Sequence, residues 1–189
     1  MPTTHEIRTA TIQDVPGIVA VHRQTFIDTY TGLTPDLTPA MVEDHLDTCW
    51  VRRKEALYNE RIRNSDNTTV VAALGERVVG FCMAQADRTN GSLYVLREHQ
   101  RGVVSLKLFA AITSQISLDT PHFLTVAQNT PAETFYYSMG CRPTGRDLSK
   151  ELPVLKGGAT IPLVELSITP EALHQSLQRV QTLLRQRSK

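Results

Sequence analysis

The 189-residue chain is poor in cysteine and in aromatic residues, carries almost no surplus of charge, and has no long apolar run. Its three cysteines, Cys49, Cys82 and Cys141, are an odd number with no CxxC spacing, so neither a disulfide framework nor a zinc site is indicated. The histidines at positions 5, 22, 45, 99, 122 and 174 form no i,i+4 pair and no HExxH motif. They read as surface or core residues, and no metal is expected. With 20 Lys+Arg against 19 Asp+Glu, a charge-dominated polyphosphate surface is excluded and no nucleic-acid partner is expected. A small anion held by a few backbone amides stays open. No apolar stretch approaches the roughly 20 residues that span a bilayer, so no membrane partner is expected. The first residues lack the basic and apolar regions of a signal peptide, which makes the cytoplasm the expected location.

The elements follow from periodicity. Ile7–Thr11 alternates like a strand, and Thr11 followed by Asp14 marks a helix start that runs on to about Tyr30 through Val15, Ile18, Val19, His22 and Phe26. After a proline-containing loop, one charged helical region is expected over 39–63, with Met41, Val42, His45, Leu46 and Trp50 on one stripe. Residues 69–73 and 77–84 read as a hairpin about Gly75, and 92–96 as a further strand. Helical spacing covers 103–116 and 131–139, with strands at 123–126 and 161–168. Thr169-Pro170-Glu171 opens a terminal helix with a capping hydroxyl and proline in its first turn. Its Leu173, Leu177, Val180 and Leu184 either pack on the chain's own domain or form a homodimer seam. The expectation is one α/β domain over 1–189, the helix occupying 169–189, with no internal repeat or linker.

Chemistry concentrates in Leu93-Tyr94-Val95-Leu96-Arg97-Glu98-His99-Gln100-Arg101-Gly102-Val103-Val104-Ser105. There a strand passes through a short polar turn straight into an apolar helix. Such a helix start presents unpaired amides and a positive dipole end, which is what holding a phosphate requires. Later, Asn129, Ala132, Phe135-Tyr136 and Gly140 follow a strand at fixed offsets.

These two segments, with the opening Ile7–Asp14, the stretch Phe26–Leu33 and the hairpin Val70–Ala84, resemble the GNAT superfamily of acyl-CoA-dependent N-acyltransferases. The resemblance implies a mixed, mostly antiparallel central sheet flanked by helices, and acetyl-CoA as co-substrate. It implies transfer of an acetyl group to a primary amine, on a small molecule or a peptide, by direct attack on the thioester. Strand residues Leu93, Tyr94, Val95 and Leu96 are then expected to supply backbone donors to the cofactor and the oxyanion. Gln100, Arg101, Gly102, Val103, Val104 and Ser105 would form the phosphate loop, and Asn129 would contact the cofactor, its other reading being a helix cap. Tyr136 matches the family's proton donor, a phenol of pKa about 10 facing a thiolate whose acid is near 8.5. Alone, it reads first as a ring buried by an amphipathic helix, and the motif around it brings the catalytic reading level. Tyr30 stands in the segment that walls the acceptor side, or is core. No base is assigned; Asp87, Glu98 and Glu133 are the acids near the expected cleft.

Two departures stand out. The loop pattern is Gln/Arg-x-x-Gly-x-Gly/Ala, yet Val103 and Ser105 occupy the glycine positions; glycine allows the backbone to approach a pyrophosphate with no Cβ between. A non-catalytic binding or regulatory member with an impaired loop is therefore the alternative. Cys141 follows Gly140 where phenylalanine is usual, and reads as a small buried hydrophobe rather than a nucleophile.

Overall fold

The computed structural model describes residues 4–85, 91–100, 102–148, 151 and 153–187. Strand β1 (Glu6–Thr9) leads through a 3₁₀ turn to α1 (Val15–Tyr30). Asp14 fixes that turn: its carboxylate accepts from the Thr11 N–H at 2.8 Å and from Arg8 through two 2.7 Å bonds. The Thr11 hydroxyl donates to the same carboxylate.

The charged region over 39–63 is two helices, α2 (Pro39–His45) and α3 (Thr48–Arg63). The chain breaks at Leu46-Asp47 because Asp47 caps a new helix, accepting from the Trp50 N–H at 2.8 Å. The hydrophobic stripe survives the break: Val42, Leu46 and Trp50 are all buried.

β2 (Asn67–Leu74) and β3 (Arg77–Gln85) turn on Gly75-Glu76, where Gly75 takes φ +61°. With β1 and β4 (Ser92–Val95) they make an antiparallel sheet in the order β1-β2-β3-β4. Phe81 and Gly80, neighbours on β3, look to opposite faces. Phe81 meets His22 of α1, with ring centroids 6.4 Å apart, whereas a Cβ on Gly80 would lie 3.2 Å from Leu108 in α4 (Val104–Thr113). So α1 and α3 cover one face and α4 the other.

A second antiparallel sheet has the order β5-β7-β6, from β5 (His122–Ala127), β7 (Leu163–Ile168) and the two-residue β6 (Arg142–Pro143). Helix α5 (Pro131–Ser138) follows β5, and α6 (Pro170–Arg187) closes the chain. Leu173, Ser176 and Val180 of α6 are buried and the helix lies on α4. Of its apolar stripe, Leu173 and Val180 are thus packed on the chain's own domain, and Leu177 and Leu184 are half-buried. The excursion between β6 and β7 sends Leu155, Ala159 and Ile161 back into the core beside Leu37 and Val42. Lys156 ties it to Asp47 at 2.8 Å.

Candidate active site between two sheet edges

β4 is the last strand of the first sheet and β5 the first of the second, and among the described residues no strand pairing joins them. Where β4 begins, the two are close: a Cβ on Gly91 would stand 3.9 Å from Leu124.

The register decides what the open edge of β4 offers. The N–H of Leu96 is committed to Val79 O on β3 at 3.0 Å, and by alternation Tyr94 also turns its amide to β3. Tyr94's side chain goes to the α1 face, 4.9 Å from Phe81 and 4.6 Å from His22 by ring centroids. Of the four strand positions expected to donate, Leu93 and Val95 face the gap, while Tyr94 and Leu96 do not. The expectation that all four backbones serve a ligand is corrected to these two. The Val95 C=O accepts from the Gln100 side chain at 2.8 Å. Gln100 is therefore a brace for the loop, its amide engaged within the protein.

On the other side of the gap, Thr130 starts α5 by accepting from the Glu133 N–H at 3.3 Å. Thr130, not Asn129, is the cap. Asn129 precedes it in the left-handed region at φ 59°, a conformation asparagine tolerates better than most residues, and its N–H donates to Glu133 at 2.7 Å. This turn aims α5 so that the Tyr136 phenol comes within electrostatic reach of the Leu93 backbone amide, which favours its charged form. The phenol thus stands between the two unpaired edges. Burial pushes its pKa well above the ordinary range, and the neighbouring Cys82, Tyr94 and Cys141 push the same way against the Leu93 amide. It holds its proton at any physiological pH. Cys82 and Cys141, both buried, flank it; burial drives the Cys82 thiol up to about 12 and the Cys141 thiol up to about 11.

The turn after β4 contains a 3₁₀ segment, Arg97–His99, before α4 begins at Val104. Arg101 and Asp87 lie outside the described residues. Val103 precedes the helix in ordinary right-handed geometry, φ −85°, and no side chain caps the first turn. Gly102 does not take a positive φ, and a Cβ there would meet only His99 O at 3.7 Å. The loop's backbone path therefore does not depend on glycine. Val104 is buried in the core, while Val103 and Ser105 are half-buried.

Free first-turn amides at α4, an unpaired strand edge and an apolar gap together suit a pyrophosphate joined to a pantetheine arm, whose two amides need a backbone edge to bond. The residues present fit acyl-CoA.

The expected acids are used elsewhere. Glu98 pairs with Arg77 at 3.0 Å; Glu133 accepts from Asn129 and from the Tyr137 hydroxyl at 2.9 Å. Tyr30 is half-buried, its ring 4.3 Å from Phe26 with electrostatic reach to Tyr94, and burial raises its phenol pKa. It belongs to an aromatic cluster with His22, Trp50 and Tyr58, in which His22 Nδ1 lies 2.5 Å from the Tyr58 hydroxyl.

A protein-family model described as an acetyltransferase (GNAT) domain matches residues 34–152. The chain belongs to the GNAT acetyltransferases. It is accordingly a transferase of a family whose acetyl donor is acetyl-CoA. Solved GNAT structures share the fold. The PaiA N-acetyltransferase from Thermoplasma acidophilum, in complex with coenzyme A, is 18% identical, with 88% of this chain and 99% of that one covered at a TM-score of 0.64. A GNAT-family acetyltransferase from Streptococcus pneumoniae is also 18% identical, covering 87% of this chain and 99% of that one, TM-score 0.58. A variant of the SpeG spermidine N-acetyltransferase from Vibrio cholerae is 16% identical, covering 89% and 95%, TM-score 0.59. No curated protein matches the chain by sequence.

Sequence reasoning missed the Cys82–Tyr136–Cys141 grouping. The one signal for it was cysteine standing at position 141 in place of the motif's phenylalanine.

Proposed function

We propose that this GNAT protein is an N-acetyltransferase that moves the acetyl group of acetyl-CoA to a primary amine by direct attack. The observation that carries the reading is that the Tyr136 phenol and Leu93 face one cavity in the gap between β4 and β5, close enough for the Leu93 amide to act on the phenol. One donor suits a developing oxyanion and the other a departing thiolate.

The Leu93 amide receives the thioester carbonyl oxygen. The amine nitrogen adds to the carbonyl carbon, the C–N bond forms, and negative charge gathers on the oxygen held by Leu93. Collapse breaks the C–S bond. A thiolate released here meets the surroundings that hold the Cys82 thiol up at about 12, so desolvation makes it a strong base. Tyr136 gives it a proton, the proton on the nitrogen of the tetrahedral intermediate is lost to solvent as the amide forms, and solvent reprotonates the phenolate. Val95 offers its edge to the pantetheine amides. The amides of Gly102, Val103, Val104 and Ser105, with Arg101, hold the pyrophosphate at the opening of α4. Asn129 borders the cofactor from the β5 side, and Tyr30 with its aromatic neighbours walls the acceptor side.

Tyr136→Phe is expected to bind CoA with unchanged affinity in calorimetry and to slow thiol release to an active amine by about a hundredfold or more. Equal turnover would remove Tyr136 from the mechanism. The reading of the chain as a non-catalytic module draws on Val103 and Ser105, but the loop's geometry demands glycine at neither position. That reading predicts no thiol release with any amine of a broad panel, even where CoA binds.

A further inference from the structure

We infer that the protein has a built pocket for an acyl chain longer than acetyl, and that its donors include short-chain acyl-CoAs of about four or five carbons. The inference rests on the acyltransferase reading above and deepens it.

An apolar cavity of about 80 Å³ lies beside Tyr136. Cys82, Leu93, Ile112, Leu124, Tyr136 and Cys141 are among the residues around it. Its place along β4 gives it direction. It reaches Leu93 and the strand residues before it, but neither Val95 nor any residue of the loop 100–105. A thioester whose nucleotide sits at the opening of α4 and whose carbonyl sits on the Leu93 amide has used the Val95 side of the gap for its pantetheine. The acyl chain then extends away from the loop, and the cavity is what it meets there.

Size and lining set the chemical class. A cavity of roughly 150 Å³ lined by aliphatic and aromatic side chains stays dry and accepts benzene. Half that volume takes about three carbons beyond the acetyl methyl. Among the described residues no Asp, Glu, Lys or Arg lines it, and its surface is almost wholly apolar, with Gln85, Ser92, Thr113 and His122 the polar residues around it, so an acidic tail such as succinyl meets a mostly apolar wall. The space exists because small residues enclose it: Cys141 stands where the matched motif carries phenylalanine, and its side chain is 2% exposed, in the wall of the cavity. A phenyl ring at that position would occupy the void.

The test is a calorimetric series with CoA, acetyl-CoA, butyryl-CoA and octanoyl-CoA on the intact protein. Each methylene buried is worth roughly fourfold in affinity. Butyryl-CoA is therefore expected to bind about tenfold tighter than acetyl-CoA, and octanoyl-CoA, too long for the cavity, to lose that gain. In Cys141→Phe the butyryl-to-acetyl ratio is expected to fall to about one; the ratio is read because a general weakening cancels from it. Ile116→Trp, which fills the cavity from a half-buried position just beyond α4, gives the same answer should the phenylalanine variant fail to fold. CoA binding with equal affinities for acetyl and butyryl donors, or a preference kept in the filled variants, overturns the pocket and leaves the acyltransferase reading standing. Failure of all four ligands to bind overturns both.

Discussion

His22 sits on the inward face of α1 with 6% of its surface exposed, bonded to Tyr58 and ringed by Trp50, Phe81 and Tyr94. Burial, with Lys54 nearby, depresses its pKa from 6.5 to about 3. The unfolded chain therefore binds a proton at this residue between those two values and the folded one does not. Stability is complete above pH 6.5 and is lost as the pH falls towards 3, by about 1.4 kcal/mol for each unit inside the window. His22→Gln is expected to flatten this part of the urea-denaturation profile while keeping a bond to Tyr58. An unchanged slope between pH 6 and 4 would assign the acid sensitivity to other groups. At the same scale, the sequence made Tyr136 legible because its neighbours fall at fixed offsets along one helix. It could not announce that Cys82 and Cys141 flank the same phenol, since one comes from β3 and the other from the turn between α5 and β6, and only folding brings them together.

At the scale of elements, the opening of α4 decides how well a diphosphate is held. Val103 needs no unusual backbone geometry, so replacing it changes what surrounds the amides rather than where they are. Val103→Gly removes a branched side chain from the approach and places a better N-cap residue at the helix start. CoA is expected to bind a few-fold tighter, measured by calorimetry; an unchanged dissociation constant would show that the valine lies clear of the phosphates. Element boundaries were readable where a turn residue punctuates the pattern, as at Gly75 between β2 and β3. They failed at Leu46-Asp47, because the stripe of Val42, Leu46 and Trp50 keeps helical spacing straight through the break. The capping signal at Asp47 was present, and the continuous periodicity masked it. β6, two residues long, is too short for any periodicity to register; it exists because Arg142 and Pro143 meet Ser167 and Leu166 of β7.

For the molecule as a whole, the mixed α/β class was visible in the alternation of short β-branched runs with amphipathic stretches. The division into two sheets was not, since pairing partners are absent from a local pattern. Among the described residues, the buried apolar side chains fall mainly into two groups. Twenty-seven lie about the first sheet, six, including Leu124, Leu166 and Leu173, lie about the second, and Ala73, Met139, Leu148 and Val180 stand apart from both. A smaller group offers less to resist local opening. The halves of this molecule are therefore expected to exchange their amide protons as separate populations. Those of β5 and β7 should give way first and those of β2 and β3 last. Any ligand lying along the seam would make the weaker half borrow protection from the stronger. Hydrogen exchange with and without CoA reads this directly, and a single uniform population in the free protein would mean that the two sheets open as one body.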